Sequence, residues 1–148
     1  MPNPALPAAL AVFDAINSGD FDVLDDLVTD DFVDHGSPFP LPPGPDGYRQ
    51  VLSFVHDVLH IRYTLEDVFD TAERIVIRAV AHGIGVDEVH GTDATGRRYA
   101  MDTVHIYRTI NDRLAEHWGV RDEFGARIQL GTIADPAAGT GTGAAAGR

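Results

Sequence analysis

The chain has no cysteine and no lysine: none of its 148 residues is either, and all 11 basic side chains are arginine. Without a thiol there is no disulfide, thiolate nucleophile, thiolate zinc site or iron–sulfur ligation. Without a lysine amine there is no Schiff-base catalysis, no lysine-anchored pyridoxal phosphate and no phosphate-loop lysine. Long apolar runs are missing too. None approaches the roughly 20 residues of a membrane span, and Met1-Pro2-Asn3-Pro4 carries no basic leader region. Positive charge is scarce: 11 Arg against 23 acids give a formal net charge of −12. Such a chain is repelled by phosphate backbones and anionic bilayers, so neither nucleic acid nor membrane is expected as a partner. A cytoplasmic location is the simplest expectation. What remains for chemistry is His, carboxylate, Tyr, three Ser and a few Thr, which points to acid–base work.

What is present suits one folded unit. The length matches the prior of roughly 150 residues per domain, and 44% hydrophobic residues can furnish a core. The domain is placed at 1–133. Residues 134–148 are Ala, Gly and Thr with almost nothing large enough to bury, and read as a flexible tail. The first half is expected to be helical. Leu6, Leu10, Phe13 and Ile16 recur at helical spacing before Ser18-Gly19. Asp20 can cap a second helix carrying Phe21, Leu24, Leu27 and Val28. After Phe32-Val33-Asp34-His35 and a loop with five prolines, Asp46 opens a third helix with Tyr48, Val51, Leu52, Val55 and Leu59 on one stripe.

The second half has period two. Strands are expected over Tyr63–Asp70, Glu73–His82, Tyr99–Thr109 and Arg113–Arg121, with Asn111-Asp112 as a hairpin turn, Gly83–Gly96 as a loop and a last short strand over Arg127–Leu130. Helices followed by an antiparallel meander give an α+β layer architecture with one pocket between sheet and helices.

Strand parity sorts the candidates. Along the Tyr99 strand Met101, Thr103, His105 and Tyr107 share a face, and Arg108 on the opposite face belongs in solvent, so His105 should point inward. Along the next strand Leu114, Glu116, Trp118, Val120 and Asp122 share parity, with His117 and Arg121 opposite. The face with Leu114, Trp118 and Val120 is the apolar one. Asp122 would then end an internal face as a semi-buried carboxylate, and burial would raise its pKa toward that of a general acid or base. Asp122 as a plain turn residue and His105 as a hydrogen-bonded core histidine are equally compatible with the pattern. Tyr107 could serve as an oxyanion donor. His56 and His60 have metal-ligand spacing, but no third ligand is evident and no metal is assigned.

The order and spacing of several pieces resemble the SnoaL-like polyketide cyclases of the nuclear-transport-factor-two-like superfamily. The pieces are Asn17-Ser18-Gly19-Asp20, Phe32-Val33-Asp34-His35, Gly91 with Thr95-Gly96-Arg97, His105-Ile106-Tyr107-Arg108, Glu116-His117-Trp118 through Asp122, and Gln129-Leu130-Gly131. The resemblance implies a cone-shaped barrel: a curved, mixed, mainly antiparallel sheet wrapped over three N-terminal helices. It implies a homodimer without cofactor or metal, whose hydrophobic pocket takes a small polyketide-like substrate. Its chemistry would be intramolecular aldol ring closure, with Asp122 as acid/base and His105 and His35 polarising a carbonyl or positioning substrate. Asp34, His82, Tyr107, Glu116, Trp118, Phe39 and Tyr48 are assigned to the substrate-binding wall. The stretch His82–Gly91 and the proline loop Pro38–Pro45 depart from the family pattern. One scaffold hosts many reactions, so an isomerase, epoxide hydrolase, dehydratase or non-catalytic binding dimer stands as the alternative.

Overall fold

The computed structural model describes residues 1–137; most of the tail expected over 134–148 lies outside the described residues. The elements run α1 (Leu6–Ser18), α2 (Leu24–Leu27), β1 (Val28–Asp34), α3 (Pro45–Ser53) continued by one π-helical turn (Phe54–Val58), β2 (Arg62–Asp70), β3 (Arg74–Ile84), α4 (Asp87–His90), a 3-10 turn (Thr92–Ala94), β4 (Arg98–Ile110), β5 (Arg113–Arg121) and α5 (Glu123–Leu130).

The strands form one mixed sheet in the order β1-β5-β4-β3-β2. β2 to β5 are antiparallel neighbours, and β1 joins β5 in parallel. The sheet is not closed: β1 and β2 are its two edges. Its inner face carries Ile75, Ile77, Ala79 and Ala81 from β3 and Met101, Thr103, His105 and Tyr107 from β4, all buried and all alternating as period two requires. α1 packs on this face beside β2 and β5 through Ala9, Val12, Phe13 and Ile16. Its stop is Gly19 at φ +81°, a left-handed C-cap that side-chain-bearing residues resist. Leu10, expected on the buried stripe, is turned outward.

Three sequence expectations are corrected. Val28, expected on the second helix, instead opens an edge strand, Val28–Asp34, with Asp34 opposite His117. Arg127–Leu130 is not a strand but the end of α5, capped by the Asp122 side chain on the Gly125 amide (2.9 Å) and stopped by Gly131 at φ +78°. Ala126 and Leu130, one helical turn apart, bury its inner side.

The third correction decides the site. Between β4 and β5, Arg108 pairs with Glu116 but Thr109 pairs with Leu114, so Ala115 is an extra, bulged residue. Leu114 and Ala115 are both buried, and beyond them the parity inverts. His117 faces inward with Arg121, whereas Trp118, Val120 and Asp122 lie on the other side. A one-residue slip moves every later side chain to the opposite face.

Candidate active site

Between the helices and the inner face of the sheet lies a cavity of about 180 Å³. Its walls are mainly apolar: Val51, Phe54 and Val55 from α3 and the π turn, Ile61, Met101, Val89 from α4, and Ala126 and Leu130 from α5. The polar lining is Tyr63, Arg121, Tyr99, His90, Glu123 and Arg127. Glu123 is the sole carboxylate among the described lining residues.

His90 is held from behind. The Val86 amide donates to His90 Nδ1 at 2.9 Å, which leaves Nε2 as the one protonated ring nitrogen of a neutral imidazole. Burial pulls its pKa below the ordinary 6.5, against the opposing pull of Glu123, and favours that neutral form. Tyr99 packs edge-on to the His90 ring (5.7 Å), and burial together with Glu123 pushes its phenol up to about 12. Tyr99 therefore remains a neutral donor.

Beneath the cavity runs a buried chain of hydrogen bonds. Asp34 Oδ1 lies 2.7 Å from His117 Nδ1, His117 Nε2 lies 2.9 Å from His105 Nδ1, and His105 Nε2 lies 3.0 Å from Thr103 Oγ1. Thr103 in turn donates to the Ala79 carbonyl at 2.8 Å. Burial works to raise the Asp34 pKa, but the bond and charge of His117, the Gly36 amide and Arg121 together hold it below 3.8. His105 is driven well below 6.5 by burial first, then by His117 and Arg121. The chain reaches the cavity through Arg121. The Gly36 amide donates to Asp34 Oδ1 (2.8 Å), and the Gly36 carbonyl accepts from Arg121 Nη2 (3.0 Å). Tyr48 and Tyr107 share a buried hydroxyl pair at 2.6 Å beside the His117 ring.

The residues singled out from sequence fall into three groups. Asp34, His105, Tyr48 and Tyr107 are buried together in this network and do not line the cavity. His35, Glu116 and Trp118 lie on the other face of the sheet. His35 Nε2 meets Glu116 at 2.7 Å and stacks on Trp118, and Glu116 also pairs with Arg108. His82 is exposed on that same outer face, bonded to Thr64, and Phe39 sits at the surface edge-on to Phe54. Asp122 is exposed, not semi-buried, because the bulge turned its parity outward and its carboxylate caps α5. His56 bonds the Ile16 carbonyl (2.8 Å), while His60 lines a groove outside the sheet. No group of three or more ligating side chains suited to a metal occurs among the described residues.

Parity reading missed Arg121 and His117, because Leu114-Ala115 was counted as an ordinary alternation. Glu123 falls between the two expected strands Arg113–Arg121 and Arg127–Leu130, and His90 within the expected loop, so neither was singled out. The signal for α5 was present in the Asp122-x-x-Gly125 cap and in Gly131.

The molecule is thus an α+β fold whose open mixed sheet and helices enclose an apolar cavity lined by a carboxylate, a histidine and arginines. Residues 8–130 match the SnoaL-like polyketide cyclases, and the chain belongs to that family. It is 26% identical over 124 residues to the nogalonic acid methyl ester cyclase of Streptomyces nogalater, covering 79% of this chain and 90% of that one. It is 22% identical over 133 residues to the aklanonic acid methyl ester cyclase DauD of Streptomyces sp. (strain C5), covering 87% and 83%. The crystal structure of wild-type IdmH from Streptomyces antibioticus superposes with a TM-score of 0.72 at 28% identity, covering 84% of this chain and 96% of that one.

Proposed function

We propose that the chain closes a ring on a polyketide-like substrate by aldol chemistry in the cavity, with Glu123 as the base. The observation that carries this is the placement of one carboxylate, Glu123, in an apolar cavity beside the donors His90, Tyr63 and Arg121. Glu123 removes a proton from a methylene flanked by carbonyls, and the electron pair becomes an enolate. The enolate carbon attacks a second carbonyl of the same molecule, and the new alkoxide takes back the proton. His90 Nε2–H, the Tyr63 hydroxyl and the Arg121 guanidinium supply donors for the developing oxyanion, while Glu123 reaches the cavity from its exposed rim. Asp34 is a positioning residue that holds Arg121 through Gly36, and His117 and His105 brace it. Asp122, the acid/base position implied by the family resemblance, starts α5 and so sets where Glu123 points. No step calls on a cofactor.

The cavity is smaller than the roughly 300–1,000 Å³ of sites that enclose a whole drug-sized ligand. A cavity of this size encloses about one ring of such a substrate, and the remainder extends beyond it. The outer face of the sheet, with Val104, Val120 and Phe69 exposed, suits the expected homodimer. A cytoplasmic location belongs to the same reading.

The test is turnover of nogalonic or aklanonic acid methyl ester, followed by chromatography and mass spectrometry. Glu123→Gln is expected to lose activity by about a hundredfold or more, the scale of a missing general base, while Asp122→Asn keeps most of it. The reverse result would return the role to Asp122. Binding of the ester without turnover by the wild-type chain would favour a binding module.

One observation supports a second reading. Arg121, which parity had placed away from the pocket, shares the cavity with Glu123, and an arginine beside a carboxylate also suits epoxide opening. Conversion of an apolar epoxide to its diol, lost in Arg121→Gln, would favour that reading.

A further inference from the structure

On the outer side of the sheet, at the end where β2, β3 and β4 meet, lies a second hollow of about 380 Å³. Arg62, His82 and Ala100 stand in one cross-strand row, and Ile84 and Arg98 form the next. Paired residues on adjacent strands project from the same face, so Arg62, His82 and Arg98 converge there. Ala100, opposite His82, leaves space on this face that a larger side chain would fill. Gln129 from α5 forms one wall and is fixed at both ends of its amide. Its oxygen accepts from the Ala100 amide (2.7 Å) and its nitrogen donates to the Ala100 carbonyl (2.9 Å). His60 closes the other end from a left-handed backbone, φ +55°, a conformation that non-glycine residues hold only when their surroundings impose it.

We propose that this groove binds the phosphoryl group of a small phosphorylated molecule. No carboxylate lines it, although the chain carries 23 acids against 11 arginines. Arg49, Arg78 and Arg108 each have a carboxylate partner, whereas Arg62 and Arg98 have none among the described residues. Two guanidinium forks and two imidazoles offer more donors than the two oxygens of a carboxylate can use, and they match three phosphoryl oxygens. The net charge of −12 selects for size: a polyphosphate chain is repelled over its length, whereas a single phosphoryl group feels the local cations. The assignment does not depend on the cyclase reading, since Arg62, His82 and Arg98 stand on the outer face of the sheet; Tyr99 is the one residue lining both hollows among those described.

The experiment is a titration of the intact chain, followed by amide NMR shifts at constant ionic strength, with inorganic phosphate, methyl phosphate and acetate. Saturable shifts at Arg62, His82, Gly83, Arg98 and Ala100 are expected with both phosphates, and acetate should bind about tenfold more weakly. Arg62→Gln and Arg98→Gln should each weaken phosphate binding about fivefold or more, and the double variant should abolish it. Both side chains are exposed, so unchanged thermal unfolding verifies the fold of the variants. Three results would each overturn the assignment: no saturable shift, equal binding of acetate, or phosphate shifts that survive the double substitution. Binding of inorganic phosphate without methyl phosphate overturns it as well, because a substituted phosphoryl group must then be excluded.

Discussion

Thr103 has one hydroxyl hydrogen, and the Ala79 carbonyl can only accept it. The Thr103 oxygen then accepts from His105 Nε2–H, which makes His105 Nδ1 an acceptor for His117 Nε2–H. His117 Nδ1–H is left to donate to the ionised Asp34. The chain thus runs unbroken from the Asp34 carboxylate to the Ala79 carbonyl. The Asp34 and His117 side chains are 4% and 5% exposed, so removing one partner strands the other in a dry interior. Asp34→Asn is expected to cost about 3 kcal/mol in urea unfolding, at the lower end for a broken buried pair. A loss under about 1 kcal/mol would mean that the pair is not a buried ion pair. The same groups set the acid limit. His105 is held below 6.5 when folded, so below that pH the unfolded chain binds the extra proton and stability falls. Asp34 is held below 3.8, so its contribution is present above that value and is lost as pH falls through its lower folded value. The thermal midpoint should therefore decline from about pH 6.5 downward, and less steeply in His105→Gln. Identical slopes for the two proteins would refute this assignment of the titration.

At the level of elements, two short helices, α4 and α5, supply part of the cavity wall. α5 starts where Asp122 accepts from the Gly125 amide. Asp122→Ala should cost about 1 kcal/mol, the usual loss of an N-cap, with a smaller effect on turnover than Glu123→Gln. Measuring stability and kcat on the same preparations separates capping from catalysis. α4 is tied down by the close approach of Gly85 to Ala94 and by Gly85–Arg97 and Gly96–Gly85 backbone bonds. A Cβ at Gly85 would overlap the Ala94 carbonyl oxygen. Gly85→Ala should loosen the segment that carries Val89 and His90, seen as faster amide exchange over residues 86–96 and a raised KM, while β3 and β4 stay protected. Uniform loss of protection would instead mean that this segment and the sheet unfold together. Helix α5 and the β5 bulge also show where pattern reading stops. Leu114-Ala115 is two small-to-medium apolar residues in a row, and period two has no way to tell a bulge there from a strand end. Its consequence, the inward turn of His117 and Arg121, depends on pairing with Arg108 and Thr109 in the neighbouring strand.

For the whole molecule, the sheet has a buried inner face and an outer face on which Val104 (36% exposed) and Val120 (70%) are left in solvent. β4 and β5 place these two opposite one another. A second copy would cover them, and Val104→Asp with Val120→Asp should shift a dimer to monomer in light scattering without changing the circular dichroism. A monomeric wild-type chain would remove the dimer from the reading. No helix among the described residues is long and apolar enough to cross a membrane.

The sequence alone determined the layers: helical spacing in the first half, period two in the second, and the inward set Ile75, Ile77, Met101, His105 and Tyr107 follow from local periodicity. It also narrowed the side chains open to chemistry, because a chain without cysteine or lysine is left with carboxylate, imidazole, phenol and hydroxyl. Only the tertiary structure decided which of these groups share a cavity. A bulge reversed one strand after Ala115, a cap made a helix of residues 123–130, and parallel pairing of β1 with β5 set Asp34 against His117. Each depends on contacts between residues far apart in the chain, which the spacing of neighbours does not encode.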